Sequence, residues 1–574
     1  MRERQSAQLC DNGKVALCVE RAFRLLDSRA VSMGPVRGRV AAALGRLSTG
    51  RLRIVGLVCV LVALGSWAVA SPVGASPDED YHLVSIWCSH GERPGLCEAP
   101  TATSAVVPAQ FLHSNCFAFH PEQSAACTRD IPNPAMVRSD RGNFSKAYPP
   151  VFYWVDGIFA GHDFNTSVII MRMVNLVLFL AVFTGVYLLL PVGLRRAQLL
   201  GTLLTLVPLG VFLIPSINPS SWAMLSAATF LTSLLGYLTV QDRRRRIALG
   251  AAAALTLLIG AGARGDSASY AVVAVAVAVI LAVPLRPVPW RRLIYPAVLA
   301  VAAGVAFLWV GQAGSADPSQ STAGHFSPGK FLRIAIDVPD LWMGGAGSKV
   351  GDAPIDWGLG WLDTGMPGIV WVFVGCLFAA VVFYAMTGAT WRRMIAAGLV
   401  LAAAWLIPTY LLYITDQPVG YYLQPRYVLP LFTILAVVAM ARLDGNAFRL
   451  TRGQRWTAVS VLALANAAAL FFNIRRYVSG NTGTSSNLDA NIQWWWNTPI
   501  PPMAVCAVGA IAFALAVALL TADLSNVEPA VTPDSPSEGR ILFTGVGAIK
   551  GTETVPSKGE RPSPRVTGER VPSA

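Results

Sequence analysis

Three observations predict an all-α integral membrane protein with about twelve transmembrane helices. Apolar stretches of about 20 residues, each long enough to cross a bilayer core, recur along most of the chain. Of its 574 residues 54% are hydrophobic and only 13% charged, about half the charged share of a soluble domain. The arginines between the apolar stretches gather in short, alternate loops, which is the pattern that sets topology. The net charge of +13 therefore comes from scattered loops rather than one folded face, which argues against a nucleic-acid surface. Arginine in excess of lysine, with abundant Ala, Val and Gly, suits a bacterial gene of high GC content.

Residues 1–53 form a basic cytoplasmic N-terminal tail. The stretch "MGPVRGRVAAALGRLSTGRLR" from Met33 reads as a disordered tail, with a surface-lying basic segment or a start at Met33 as alternatives. A polytopic domain occupies 54–521. Its spans are expected at 54–71, 168–190, 197–215, 220–240, 247–263, 269–285, 293–311, 367–387, 394–414, 427–442, 456–473 and 502–521. The apolar stretch 151–160 is too short to cross and reads as re-entrant or interfacial. The stretch 327–343 reads as an interfacial helix kinked by Pro339. Residues 522–574 are rich in Pro, Ser and charge and read as a disordered cytoplasmic tail.

Loop charge orients the chain. "GLRR" (193–196), "DRRRR" (242–246), "RPVPWRR" (286–292), "TWRR" (390–393) and 441–455 each carry at least two arginines and are expected in the cytoplasm. "PSINPS" (215–220), "ARGDS" (263–267) and "TDQPVGYYLQPR" (415–426) carry at most one and are expected outside, at the plasma membrane. The long loops 72–167, 312–366 and 474–501 then also face out. Of nine cysteines, Cys88, Cys97, Cys116 and Cys127 all fall in the first outer loop. An even set there reads as two disulfides, with neighbours paired; a four-thiolate metal site is the alternative. Cys59, Cys376 and Cys506 read as core residues of spans, and Cys10 and Cys18 belong to the inner tail.

The unusual polar residues then share one face. Asp78, Glu79, Asp80 and His82 follow span 1, "YPPVFYW" (148–154) precedes span 2, and Arg172 and Asn175 lie in its first turns. "GARGDS" (262–267), with Arg264 and Asp266, ends span 5, and "LQPRYVLP" (423–430), with Arg426 and Tyr427, opens span 10. Mid-span positions carry almost no ionisable groups, which counts against an ion-coupled transporter. Carboxylates suit general-base work on a hydroxyl, and arginines suit a phosphate leaving group. Asp78, Glu79 and His82 are the expected catalytic groups; Asp80, Tyr148, Tyr153, Arg264, Asp266, Arg426 and Tyr427 are the expected substrate contacts. The spacing of Asp78 or Glu79 to His82 also allows a divalent metal or a local hydrogen bond. No other cofactor is indicated. Each signal has a plainer reading. An acidic cluster after a span is often a solvated cap, Arg264 and Asp266 pair with each other, Arg426 snorkels, and "WWW" (494–496) belongs to an aromatic belt. The glycine-rich run 344–352 lacks phosphate-loop spacing.

At these residues the chain resembles the GT-C superfamily of polytopic glycosyltransferases, whose first outer loop carries an acidic motif directly after span 1, as "PDED" is here. More closely, "SPDEDYH", "YPPVFYW", "GARGDS" and "QPRYVLPL" resemble the blocks of a bacterial membrane-protein family of unknown function grouped with those enzymes. The resemblance covers about residues 50–520 and implies a polyprenyl-phosphate sugar donor, an envelope glycan or lipid acceptor, and inversion at the anomeric carbon. By position, Asp78 or Glu79 would be the base. Many relatives end in a large soluble outer domain and this chain in a short tail, so acceptor recognition is expected from the disulfide-bearing loop. The expected function is a membrane glycosyltransferase, with a transporter or flippase of lipid-linked sugars and a non-catalytic envelope assembly factor as alternatives.

Overall fold

The computed structural model describes residues 49–524 apart from 131–134, 285, 288, 310–326, 344–347, 351–352, 356–357, 418, 420–422 and 483–484. Most of both tails, Cys10, Cys18 and most of the glycine-rich run 344–352 lie outside the described residues.

The described chain is a helical bundle. Its helices are α1 (Thr49–Val69), α2 (Glu79–Trp87), α3 (Pro150–Gly157), α4 (Phe164–Leu189), α5 (Val192–Leu213), α6 (Ser220–Thr239), α7 (Arg243–Ala263), α8 (Gly265–Ala282), α9 (Trp290–Trp309), α10 (Pro328–Asp337), α11 (Gly368–Ala385), α12 (Trp391–Thr415), α13 (Pro425–Met440), α14 (Arg452–Val478) and α15 (Pro502–Leu520). Among the described residues eleven helices are long and apolar enough to cross a bilayer. The remaining expected span, the tenth, is α13, a helix of 16 residues. At about 1.5 Å per residue it falls short of a bilayer core of about 30 Å. It does not need the full reach, because Leu431, Ala436, Val437 and Val438 are wholly enclosed by neighbouring helices rather than by lipid.

The expected interfacial pieces are also helices. The 151–160 stretch forms the eight-residue α3. The 327–343 stretch forms α10 and then a short turn of helix, Asp340–Met343, separated at Pro339. Span 3 holds a break that apolarity did not show. Val207 leaves helical geometry (φ −95°, ψ 134°) just before Pro208, where a ring without an N–H cannot continue the ladder.

Side-chain contacts identify the two ends of the bundle. At one end arginines close off helix C-termini. Arg195 donates to the Tyr187 and Leu188 carbonyls, Arg245 to Leu189 at 2.7 Å, and Arg442 to Ala385 at 2.9 Å. A cation there meets the negative end of the helix dipole. The other end carries the loops. After α1 they hold a two-stranded antiparallel ribbon, β1 (Ala105–Pro108) with β2 (Met136–Ser139), in the register Ala105↔Ser139. Two disulfides, Cys88–Cys97 and Cys116–Cys127, tie this region. The four-thiolate metal alternative is therefore excluded. Trp494 and Trp495 are buried among the loops instead of facing lipid as a belt.

Candidate functional site

The site begins with a clamped loop. Arg172 on α4 donates to the carbonyls of Ala68 (2.9 Å), Ser71 (2.8 Å) and Pro72 (2.8 Å), in the last turn of α1 and the residues just beyond it. Asn473 donates to Ala70, Trp361 to Gly74, and Asn218 to Pro77 at 2.9 Å. Few loop atoms are left free to move.

Asp78 stands where this loop enters α2, in left-handed geometry with φ 59°. Asp and Asn adopt this geometry more readily than other non-glycine residues, and left-handed non-glycine residues collect at functional sites. The turn separates the neighbouring acids. Glu79 goes inward, wholly buried, taking Arg172 at 3.2 Å and the Ser76 N–H at 2.9 Å. Asp78 stays 36% exposed and takes Arg426 at 2.7 Å and Arg141 at 3.4 Å. Burial pushes the Asp78 carboxyl up, but Arg426 and Arg141 outweigh it and hold it below the usual range. Asp80 is gripped by Arg141 and by Asn115.

His82 is enclosed. Its Nδ1 meets the Tyr153 hydroxyl at 2.9 Å, and Tyr81 and Tyr148 pack edge-on to its ring. Burial drives its pKa down to about 3, so the ring is neutral at ordinary pH and sets the position of Tyr153. Burial holds the Tyr148 and Tyr153 phenols above their usual range. Arg264 forks onto Asp266 (2.9 and 2.6 Å) and lies 4.5 Å over the Tyr427 ring and 5.8 Å over Tyr148. Arg426 in turn meets the Tyr427 hydroxyl at 3.0 Å.

Asp78, Asp80, His82, Tyr148, Tyr153, Arg264, Asp266, Arg426 and Tyr427 thus form one contiguous cluster, and Glu79 lies behind it in a structural pair. Among the described residues no group of three or more His, Cys, Asp or Glu side chains is arranged to hold a metal ion, so Asp78, Glu79 and His82 do not fit one. Arg141, which sequence reasoning missed, binds two of the acids. It lies just after β2, and no local pattern marks it.

Beside the cluster lies a cavity of about 350 Å³. Leu204, Trp342, Met366, Phe378, Leu429 and Phe432 give it an apolar lining, which includes the break in α5. Arg426 is the one charged residue among its described lining. The guanidinium is 3% exposed, and its Nε and Nη1 find no hydrogen-bond partner among the described residues; neither does Gln424 Oε1 beside it. Unsatisfied buried donors are costly and expect an acceptor.

No curated protein and no solved structure matches the chain. A family model described as "Predicted membrane protein (DUF2142)" matches residues 61–435, more than half the sequence, and the chain belongs to that family.

Proposed function

We propose that this protein transfers a sugar from a polyprenyl-phosphate donor to a glycan or lipid acceptor of the cell envelope. The observation that carries this reading is the apolar cavity ending at Arg426, whose buried Nε and Nη1 lack an acceptor among the described residues, next to the exposed carboxylate of Asp78. An isoprenoid chain matches the lining, and a phosphate oxygen matches an unpartnered N–H of the guanidinium, where a charge-assisted hydrogen bond forms.

In this reaction Asp78 takes the proton of an acceptor hydroxyl as that oxygen attacks the anomeric carbon. The bond from that carbon to the phosphate oxygen breaks, and its electron pair leaves with the lipid phosphate. Arg426 receives the charge that develops there. Attack opposite the leaving group inverts the anomeric centre. Asp78 is suited to the base role because its neighbours keep it ionised. The disulfides beside the cluster and the arginine-capped helix ends opposite it favour an extracytoplasmic site in the plasma membrane.

The test uses the purified protein in lipid nanodiscs. Polyprenyl monophosphate should bind at least tenfold more tightly than the matching polyprenol, and Arg426→Gln should erase that preference. Radiolabelled polyprenyl-phosphate sugars should then yield labelled acceptor with the wild-type protein and none with Asp78→Asn. Equal binding of phosphate and alcohol would refute the donor assignment. Lipid binding with movement across the bilayer, but no release of sugar, would point to a flippase.

A further inference from the structure

A second cleft, of about 540 Å³, borders the cluster. That is within the range of small-molecule sites, roughly 300–1,000 Å³. Tyr148 and Tyr153 form its shared wall: Arg264 lies over the Tyr148 ring, and His82 fixes Tyr153. Ser85, Ser89, Thr101 and Asn143 add polar lining, and Trp154 and Trp309 add two indoles, 55% and 86% exposed.

The framework is fixed. The Cys88–Cys97 disulfide borders the cleft. Asn143 bridges the loop to Tyr148 by two bonds of 2.8 Å. Gly157 lets α3 approach the end of α2 so closely that an added Cβ would sit 2.1 Å from Ser89 Oγ.

Exposed aromatic faces with hydroxyls and an amide between them recognise a sugar. The ring C–H groups lie on the electron-rich indole face, and the hydroxyls exchange hydrogen bonds with the polar side chains. Among the described lining residues Lys146 is the one charged group, and none is a carboxylate. A neutral or anionic saccharide fits and a cationic one does not.

We infer that the cleft walled by Tyr148, Tyr153, Trp154 and Trp309 binds the saccharide acceptor. This assignment rests on the glycosyltransferase reading for the word "acceptor", but not for the binding itself.

The experiment measures saccharide binding to the nanodisc protein by saturation-transfer NMR. The panel holds trisaccharides of neutral hexoses and pentoses, their uronic-acid counterparts, and chitosan trimer as the cationic member. At least one neutral or acidic member should bind, more tightly than chitosan trimer. Its affinity should fall at least fivefold in Trp154→Ala and in Trp309→Ala. It should be unchanged in Trp290→Ala, an exposed indole (64%) at the opposite end of α9. Trp309 packs against so little that its loss leaves folding intact, so that arm stands alone if Trp154→Ala misfolds. No binding by any panel member, or equal binding in Trp309→Ala and wild type, overturns the inference. Saccharide binding that persists in a protein without polyprenyl-phosphate preference keeps the cleft and removes the donor reading; the reverse result keeps the donor site and removes the cleft.

Discussion

The carboxylate of Asp78 lies 2.7 Å from the guanidinium of Arg426, across 348 residues of sequence. Asp78 is partly open to solvent and Arg426 is not, so the acid is available to a substrate while its partner is held. Asp78→Asn keeps the shape and tolerates left-handed geometry. It should lower transfer by about 10²–10⁴-fold, the usual worth of a general base. It should also lower the melting midpoint, because the buried Arg426 loses its counter-charge; the rates are therefore compared per folded protein. A rate within threefold of wild type would remove Asp78 from the chemistry.

Arg426→Lys should not restore the phosphate preference lost in Arg426→Gln. An ammonium is a compact point charge and lacks the planar guanidinium that keeps Nη2 on Asp78 while turning Nε and Nη1 to other acceptors. The comparison is polyprenyl phosphate against polyprenol affinity in both variants; full recovery in Lys would mean that charge alone suffices.

Glu79→Gln should act on folding. Its carboxylate and Arg172 are almost wholly buried, at 0% and 3% exposure, and breaking such a pair costs about 3–5 kcal/mol. Thermal unfolding should show a lower midpoint, and whatever folded protein remains should keep its affinity for polyprenyl phosphate.

Asp156 on α3 is wholly buried, with Oδ2 on Asn175 and Oδ1 without a partner among the described residues. Burial raises its pKa from near 3.8 to about 8. The folded state therefore binds a proton that the unfolded state has released between these values. Its stabilising contribution is complete below about pH 4 and is lost as pH rises through 8. Asp156→Asn should raise the melting midpoint at pH 8, change little at pH 4, and flatten the slope between; parallel melting curves across that window would contradict this.

Gly74→Ala should destabilise the loop that carries Asp78. Gly74 has φ +84°, and a Cβ there would fall 2.2 Å from the Ser114 carbonyl oxygen. Left-handed strain and a backbone clash then act together. Limited proteolysis should cut the variant in the first long loop faster than the wild type.

The helices were legible because a membrane imposes long apolar runs, and among the described residues each of the twelve expected stretches falls on a helix. The break at Val207 was not, because Pro208 alone does not say whether a helix kinks or opens. The polar residues on one face were legible as a set, but their roles were not. Asp78 and Glu79 are adjacent letters, and only the left-handed turn between loop and α2 sends one to the cluster and the other to Arg172. Arg141 was invisible for a different reason: it lies just after β2 and reaches Asp80 by a side-chain contact across 61 residues of sequence. The tryptophans at 494–496 suited a belt by position, and only packing shows two of them inside.

The Arg172 clamp also bears on biosynthesis. Arg172 lies 93 residues after Glu79, and a chain is made from its N-terminus. The turn holding Asp78 acquires its anchor once the second long helix has left the ribosome. Arg426 is translated much later. The nascent polypeptide thus carries Asp78 with its first anchors, Arg141 and Arg172, well before Arg426 arrives, and Asn473 completes the clamp later still. A chain truncated before α13 therefore holds the acid without the buried cation that faces it.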